Sequence, residues 1–503
     1  MANQEQTKTN YDNQKVLITR TMAVHPRSPL PQQKFLHLSN LDRKCPQLMY
    51  LVFFYRSSPP HNMLFNSLKQ GLEDTLSAWF PAAGRLIINP DNGKLDLLCD
   101  NNSGVLLVEA FTKIHISELG DLSQYNEFFE RLVVNSPFSA DNLSEMPLLV
   151  AQVTRFGCGG YSVGVGTSHS IFDGVANYNF VKAWAYNTTK RAGKDKEVEF
   201  LSFEPVHERG RLVVGHNGYG KEKKPKAEIH GKIMMTRVIA FDHLHQLIMQ
   251  ASSSLKSVMD PYNRRSSGKQ EDFVLKTFGL SSSMVEKLKR EVTSSSKGAS
   301  SSCSSFELGE SPPAKLRLCR LHTLPLSPWF AISVVKIVAR TKALGIAKER
   351  MVCLQFTVDI RNKMDPPLPQ SFSGNAFVLC SVASTAGEII NIKLTTLVDK
   401  IKEAKLVVNE EYIQAYLKAL EAPQGELPPL LELTIVSDWQ RMPYHQVDFF
   451  GRSGAIYVSP LGSPVQQVAF FMQRPGDVGG VDVRIGLPKC SLLAFNQYFI
   501  GAS

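Results

Sequence analysis

A histidine and an aspartate four residues apart, His169 and Asp173, are the side chains in this sequence best suited to chemistry. Histidine accepts and returns a proton near neutral pH more readily than any other side chain. Of the twelve histidines, His169 is the only one with an aspartate at the fourth position after it, and Gly174 follows that aspartate. The pair predicts a base-assisted group transfer. The alternative is that His169 is a packed structural residue and that Asp173 is the N-cap of a helix.

Two predicted elements position this pair. The run 161–166 (YSVGVG) has the alternating pattern of a strand. After Gly174, apolar side chains recur at roughly helical spacing, at Val175, Phe180 and Trp184. We therefore expect His169 on a short connection between a strand and a helix, where one side chain faces a cleft while its neighbours are anchored in the core.

The length and composition indicate a globular protein of more than one domain. A chain of 503 residues is too long for a single hydrophobic core. Its hydrophobic fraction of 43% and charged fraction of 20% are typical of a soluble protein. No apolar run is long enough for a membrane-spanning helix, and the polar N-terminus does not resemble a secretory signal. Eight cysteines without metal-ligand spacing indicate reduced thiols, so we expect a cytoplasmic protein without a metal site.

The formal net charge of +10 is compatible with two kinds of polyanionic partner. One is a nucleic acid, but the basic residues are scattered and no nucleic-acid-binding motif occurs, so we expect no such partner. The other is a small molecule that carries phosphates, such as coenzyme A. Charge alone does not decide between them.

The pattern along the chain is that of an α/β protein in two parts. Strands are predicted at 48–55 and 351–358, and Leu68, Leu72 and Leu76 share one face of a predicted helix. Asn92-Gly93 predicts a hairpin turn.

Further signals divide the chain into its two parts. Ser327 and Pro328 predict the N-cap and first residue of a helix, and 284–289 predicts a shorter helix. The stretch 203–269 is irregular and predicts a crossover between two domains. The segment 293–313 is rich in serine and predicts a mobile loop.

Several short motifs occur in one order over most of the chain. They lie at 38–42 (LSNLD), 78–86 (AWFPAAGRL), 147–154 (PLLVAQVT), 358–361 (VDIR), 366–369 (PPLP) and 374–376 (GNA). Together with His169 and Asp173, this set resembles the plant BAHD acyl-CoA-dependent acyltransferases. No single motif is decisive, but their conjunction and order are highly specific.

The resemblance implies an α/β fold of two similar chloramphenicol-acetyltransferase-like domains, with mixed sheets flanked by helices. The domains would span 1–204 and 271–503, joined by a long crossover loop at 205–270. A channel through their interface would admit acyl-CoA as co-substrate from one face, and a small-molecule alcohol or amine acceptor from the other. The resemblance also implies a monomer that binds no further cofactor.

The same resemblance assigns roles to individual residues. His169 would be the general base of a direct transfer from the thioester to the acceptor. Asp173 would be a buried carboxylate that pairs with an arginine and holds the loop in place. Gly174 would allow close backbone approach at the start of the helix; the alternative is that it is an ordinary glycine next to the helix cap. The residues that bind coenzyme A and stabilise the oxyanion are not identified by the sequence.

One late motif departs from the family pattern. The family element DFGWG is represented by 448–452 (DFFGR), which reads as that element with one glycine deleted and phenylalanine in place of tryptophan. We expect Asp448 and Gly451 to be structural; the alternative is that Asp448 is a solvated turn residue. This departure and the serine-rich loop leave open a non-catalytic relative that binds an acyl chain or a partner protein. An enzyme with a carrier-bound donor is a weaker alternative.

Overall fold

The computed structural model describes residues 16–44, 48–134, 143–192, 204–213, 273–294, 327–421, 432–461 and 468–501. Its strands are β1 (Leu17–Val24), β2 (Lys34–Leu36), β3 (Leu48–Tyr55), β4 (Arg85–Ile88), β5 (Leu95–Cys99), β6 (Val105–Thr112), β7 (Leu149–Phe156), β8 (Tyr161–Ser168), β9 (Phe273–Leu280), β10 (Met351–Asp359), β11 (Phe377–Thr385), β12 (Leu433–Asp438), β13 (Tyr457–Pro460), β14 (Val468–Gln473) and β15 (Val481–Pro488). Its α-helices are α1 (Asn40–Arg43), α2 (His61–Ala78), α3 (Gly174–Arg191), α4 (Ser282–Ser294), α5 (Pro328–Ala343), α6 (Ala386–Asn391), α7 (Leu394–Leu406), α8 (Glu410–Ala419) and α9 (Leu492–Ile500).

The first mixed sheet has the order β1-β6-β7-β8-β3-β13. Strands β6 and β7 are parallel, and the other neighbours are antiparallel. Helices α2 and α3 pack against each other. Leu68, Leu72 and Leu76 of α2 are fully buried in the core that also contains Phe53 of β3. Their four-residue spacing places them on one face of the helix, which explains why that face is the buried one.

The second mixed sheet has the order β11-β10-β12-β14-β15-β9. Strand β12 is parallel to both β10 and β14, whereas the remaining neighbours are antiparallel. Helix α5 is the central helix of this half and packs against α4, α7 and α9. Eleven of its residues are buried, Lys336 and Arg340 among them, as expected of a helix enclosed by other elements.

A small antiparallel sheet, β2-β5-β4, flanks the first half. The predicted hairpin turn at Asn92-Gly93 connects β4 to β5, and Gly93 has a φ of +67°. A positive φ is strained for residues other than glycine, which explains the glycine at this turn.

The two halves of the chain are interlocked. Strand β13 comes late in the sequence but pairs with β3 at the edge of the first sheet. The preceding segment also packs into the first core, where the Phe449 ring is fully buried and lies 5.0 Å from the ring of Trp184. The chain after 271 therefore completes the first sheet as well as building the second. The domain boundaries at 204 and 271 stay a prediction.

Most of the predicted elements within the described residues are confirmed, with small differences. The strands at 48–55 and 351–358 and the helix at 284–289 are β3, β10 and α4. Ser327 and Pro328 take the predicted positions at the start of α5, but the Ser327 side chain makes no capping hydrogen bond. Helix α4 extends to Ser294, into the predicted serine-rich loop. The remainder of that loop and most of the crossover lie outside the described residues.

Candidate active site

His169 lies where the two halves of the molecule meet. Strand β8 ends at Ser168, so His169 is the first residue of the connection to α3, as the sequence predicts. The side chain is half-buried. The centre of its ring is 5.8 Å from the ring of Phe377, the first residue of β11 in the second sheet. The candidate base therefore belongs to the first sheet but faces a residue of the second.

Asp173 ends the connection and begins α3. Its backbone is extended and its Oδ1 accepts a hydrogen bond from the N–H of Ala176 at 2.9 Å, so Asp173 is the N-cap. The same carboxylate forms an ion pair with Arg361, with Nη1 at 2.8 Å from Oδ2 and Nη2 at 3.0 Å from Oδ1. The N–H of Ala376 donates to Oδ2 at 3.1 Å. Asp173 is thus both a helix cap and a bridge between the halves.

Arg361 is the arginine that pairs with Asp173. It is 188 positions from Asp173, and its side chain is 1% exposed. Its Nη2 also donates to the carbonyl oxygen of Phe372 at 3.1 Å. Burial opposes the charge of the guanidinium, but the carboxylates of Asp173 and Asp359 outweigh burial and raise the pKa of Arg361. The guanidinium therefore keeps its full charge within the bridge.

A second buried carboxylate, Asp42 of α1, holds the backbone of His169 through Asn375. Asp42 Oδ1 accepts hydrogen bonds from the N–H of Asn375 at 2.9 Å and from its Nδ2 at 2.8 Å. The same Nδ2 donates to the carbonyl oxygen of His169 at 2.6 Å. Asp42 Oδ2 accepts from the Ser39 hydroxyl at 2.8 Å and pairs with Arg209 Nε at 3.4 Å. Three distant segments of the chain thus converge on the loop that carries His169.

The environment of His169 favours the neutral ring. Burial lowers its pKa below the ordinary value of 6.5, and the contact of the ring with its own backbone, followed by the negative charge of Asp173, only partly offsets this effect. A neutral imidazole can accept a proton, whereas a protonated one cannot. At neutral pH the site therefore presents a side chain in the state that a general base needs.

A small cleft with a cavity volume of about 10 Å³, room for about one water molecule, lies beside the loop. Phe172, Leu51 and Trp439 are among its apolar lining residues, and Asp173 and Asn177 contribute polar groups. An adjoining hollow with a cavity volume of about 20 Å³ shares Leu51, Trp439 and Tyr444 with it. The lining of the cleft is mainly apolar with a few polar groups, as in small-molecule sites, but His169 is not one of the lining residues.

Gly174 lies in the same loop, as predicted. It is the first residue of α3, and a Cβ at this position would lie 3.0 Å from both Sδ and Cε of Met442. The close approach is therefore to the flexible end of a side chain from the second half, which a small shift would relieve.

Asp448 and Gly451 lie elsewhere. Asp448 lies near Tyr161, the first residue of β8, because its negative charge adds to burial in raising the pKa of Tyr161. His169 lies at the other end of that strand, directly after its last residue. Seven residue steps along a strand span about 24 Å. Asp448 Oδ1 accepts the N–H of Phe450 at 3.0 Å, and Gly451 has a φ of +61°. Both residues shape a turn that fixes Phe449 in the first core.

Three residues of the site, Asp42, Arg361 and Asn375, were not predicted as site residues. Each occurs in one of the motifs quoted above, at 38–42, 358–361 and 374–376. The motifs were the available signal, but nothing in a local pattern says which distant residue each side chain contacts. Among the described residues, no three His, Cys, Asp or Glu side chains cluster as a metal site would require. No helix in the described part of the chain is long and apolar enough to cross a membrane.

Comparison with known proteins decides the family. Residues 14–500, nearly the whole chain, match the model of the Transferase family. The chain is a BAHD acyltransferase. Brassinosteroid-related acyltransferase 1 of Arabidopsis thaliana is 42% identical over 96% of this chain and 97% of its own length. Omega-hydroxypalmitate O-feruloyl transferase of the same plant is 27% identical over 92% of this chain and 88% of its own length.

Solved structures agree on the fold of this BAHD acyltransferase. Vinorine synthase matches with a TM-score of 0.64 and 19% identity, over 97% of this chain and 98% of that one. TRI101 of F. sporotrichioides, solved with coenzyme A and T-2, matches with a TM-score of 0.62 and 14% identity, over 93% and 98% of the two chains. The predicted fold class, two sheet-rich halves with mixed sheets flanked by helices, is therefore confirmed.

Proposed function

We propose that this BAHD acyltransferase moves an acyl group from a coenzyme A thioester to a hydroxyl or amine of a plant metabolite, with His169 as the general base. The observation that carries the proposal is the position of His169. It is a neutral, half-buried histidine at the junction of the two halves, whose backbone is held by Asn375. A fatty alcohol:caffeoyl-CoA acyltransferase of Arabidopsis thaliana, 28% identical over 96% of this chain, supports a thioester donor and an alcohol acceptor by its name.

The reaction needs no oxidant, reductant or acyl-enzyme. His169 takes the proton of the acceptor O–H or N–H while the acceptor oxygen or nitrogen attacks the thioester carbonyl carbon. The tetrahedral intermediate then collapses, and its carbon–sulfur bond breaks. The leaving coenzyme A sulfur takes the proton back from His169 or departs as the thiolate, since a thiol with a pKa of about 8.5 is a good leaving group. In the first case the ring ends in its initial neutral state, and in the second the protonated ring passes its proton to solvent.

Asp173 supports this reaction without relaying a proton. Its carboxylate is engaged by Arg361 and by the backbone N–H groups of Ala176 and Ala376. These contacts hold the loop on both sides of the junction, so Asp173 contributes by fixing where His169 lies. The monomeric state and the cytoplasmic location expected from the sequence stay predictions.

The test is the release of free thiol from a panel of acyl-CoAs, offered with pooled plant alcohols and amines. Wild type is compared with His169→Ala and with His37→Ala as a control, because the His37 side chain is 63% exposed and contacts Asp96 instead. We expect acceptor-dependent release that falls by at least about 10²-fold in His169→Ala and is retained in His37→Ala. Release that persists in His169→Ala removes His169 as the base. Coenzyme A binding without release from any donor favours the non-catalytic alternative.

A further inference from the structure

The side-chain amide of Asn375 has a single possible orientation. Its nitrogen donates to two acceptors, Asp42 Oδ1 at 2.8 Å and the carbonyl oxygen of His169 at 2.6 Å. Only an NH₂ group has two hydrogens to donate, so exchanging the amide nitrogen and oxygen would place an acceptor against two acceptors. The oxygen of Asn375 is consequently fixed too. That Oδ1 atom is buried and has no hydrogen-bond partner.

A second buried polar atom without a partner belongs to His169. It is Nδ1 of the ring. Leaving a buried donor or acceptor unsatisfied is costly, so two such atoms on residues already in contact require an explanation. The two are chemically complementary, because a neutral imidazole can carry its hydrogen on Nδ1 and an amide oxygen can accept it.

We propose that Asn375 is the positioning residue of the general base, whose Oδ1 accepts the Nδ1–H of His169 and so leaves Nε2 free to take the acceptor proton. This inference rests on the proposed function of His169. The two residues are already joined by the hydrogen bond from Asn375 Nδ2 to the His169 carbonyl oxygen, and catalytic hydrogen bonds often tighten when substrate binds. Asp42 acts on the ring only indirectly, because its carboxylate holds the side chain and backbone of Asn375. Without the amide oxygen the ring would also populate the other tautomer, which carries its hydrogen on Nε2 and is not a base there.

Other charged groups near His169 remain in place when Asn375 is changed. Asp173 on α3 and Asp42 on α1 both favour the protonated ring, and each is paired with its own arginine, Arg361 and Arg209. A change in the pKa of His169 after substitution of Asn375 therefore reports mainly on the lost amide oxygen.

The test compares Asn375→Ala with Asn40→Ala. Asn40 is a matched control because it is 5% exposed and its Nδ2 donates to the carbonyl oxygen of Leu417 at 2.8 Å, so its loss also removes a buried amide. We expect Asn375→Ala to lower kcat by at least about tenfold with KM for the thioester within about twofold. We also expect the acidic limb of kcat/KM to move to lower pH, and Asn40→Ala to keep the wild-type limb. A loss of kcat with the limb unmoved assigns Asn375 a merely structural role and overturns the proposal.

A second measurement does not depend on acyl transfer. The rate at which diethyl pyrocarbonate modifies His169, followed by peptide mass spectrometry as a function of pH, reports the fraction of neutral ring. We expect this titration to move to lower pH in Asn375→Ala, and an unmoved titration overturns the proposal even if no donor has been found. Should Asn375→Ala fail to fold, Asn375→Ser keeps a hydroxyl donor for Asp42 but lacks the amide oxygen. The same shift is expected in Asn375→Ser, and its absence overturns the proposal.

Discussion

The bridge between Asp173 and Arg361 makes a quantitative prediction for Asp173→Asn. Both side chains are nearly inaccessible, at 6% and 1% exposure. Removing one charge of a buried pair costs about 3–5 kcal/mol, because the other charge stays behind in a medium of low dielectric constant. The amide oxygen of asparagine still caps Ala176, so the cost of about 1 kcal/mol for a lost cap is not added. Asp359 lies 3.4 Å from Arg361 and offsets part of the loss, so we expect about 3 kcal/mol.

Urea unfolding of the wild type and Asp173→Asn measures this cost. Asp74→Asn is the control, because Asp74 pairs with Arg27 and Arg191, whose side chains are each 42% exposed. Such surface ion pairs contribute only about 0–1 kcal/mol to stability, so the control should lose little. The double variant Asp173→Asn, Arg361→Met removes both charges and is expected to cost less than the sum of the two single changes. The reasoning is refuted if Asp173→Asn costs no more than Asp74→Asn, or if the two single costs add.

Three further predictions concern protonation and backbone strain. Burial lowers the pKa of His169 below 6.5, so the acidic limb of kcat/KM should be centred below pH 6.5; a limb centred above 6.5 contradicts this. Lys336 is fully buried and its Nζ has no hydrogen-bond partner. Burial, and after it the positive charge of Arg340, lowers the pKa of Lys336. Because an unpaired buried amine is costly, Lys336→Met should stabilise the protein at pH 7 by about 1–3 kcal/mol. The unfolded chain binds the Lys336 proton more tightly than the folded chain, so the stability of the wild type should rise with pH. The difference in Tm between wild type and Lys336→Met should therefore be smaller at pH 9 than at pH 7, and a constant difference contradicts the lowered pKa of Lys336. Gly451 has a φ of +61°, so Gly451→Ala should cost about 1 kcal/mol in urea unfolding, and an unchanged midpoint would show that the turn relaxes.

Features that depend on neighbouring residues were predictable from the sequence. The leucines of α2 follow helical spacing, strand β3 is a continuous apolar run, and His169 and Asp173 lie on a strand-to-helix connection, as predicted. Each of these follows from the local periodicity that burial on one face imposes. The ordered motifs then predicted the family and, with it, the fold class.

Contacts between distant segments were decided only by the tertiary structure. Asp42 and Asn375 are 333 positions apart, and Asp173 and Arg361 are 188 positions apart, yet each pair is in direct contact. Strand β13 joins the first sheet, although its sequence lies among elements of the second. A local pattern records that a residue is polar or apolar, but its partner depends on how whole sheets and helices pack. The sequence therefore determined which residue types stand at the junction, and packing alone decided which of them hold His169 in place.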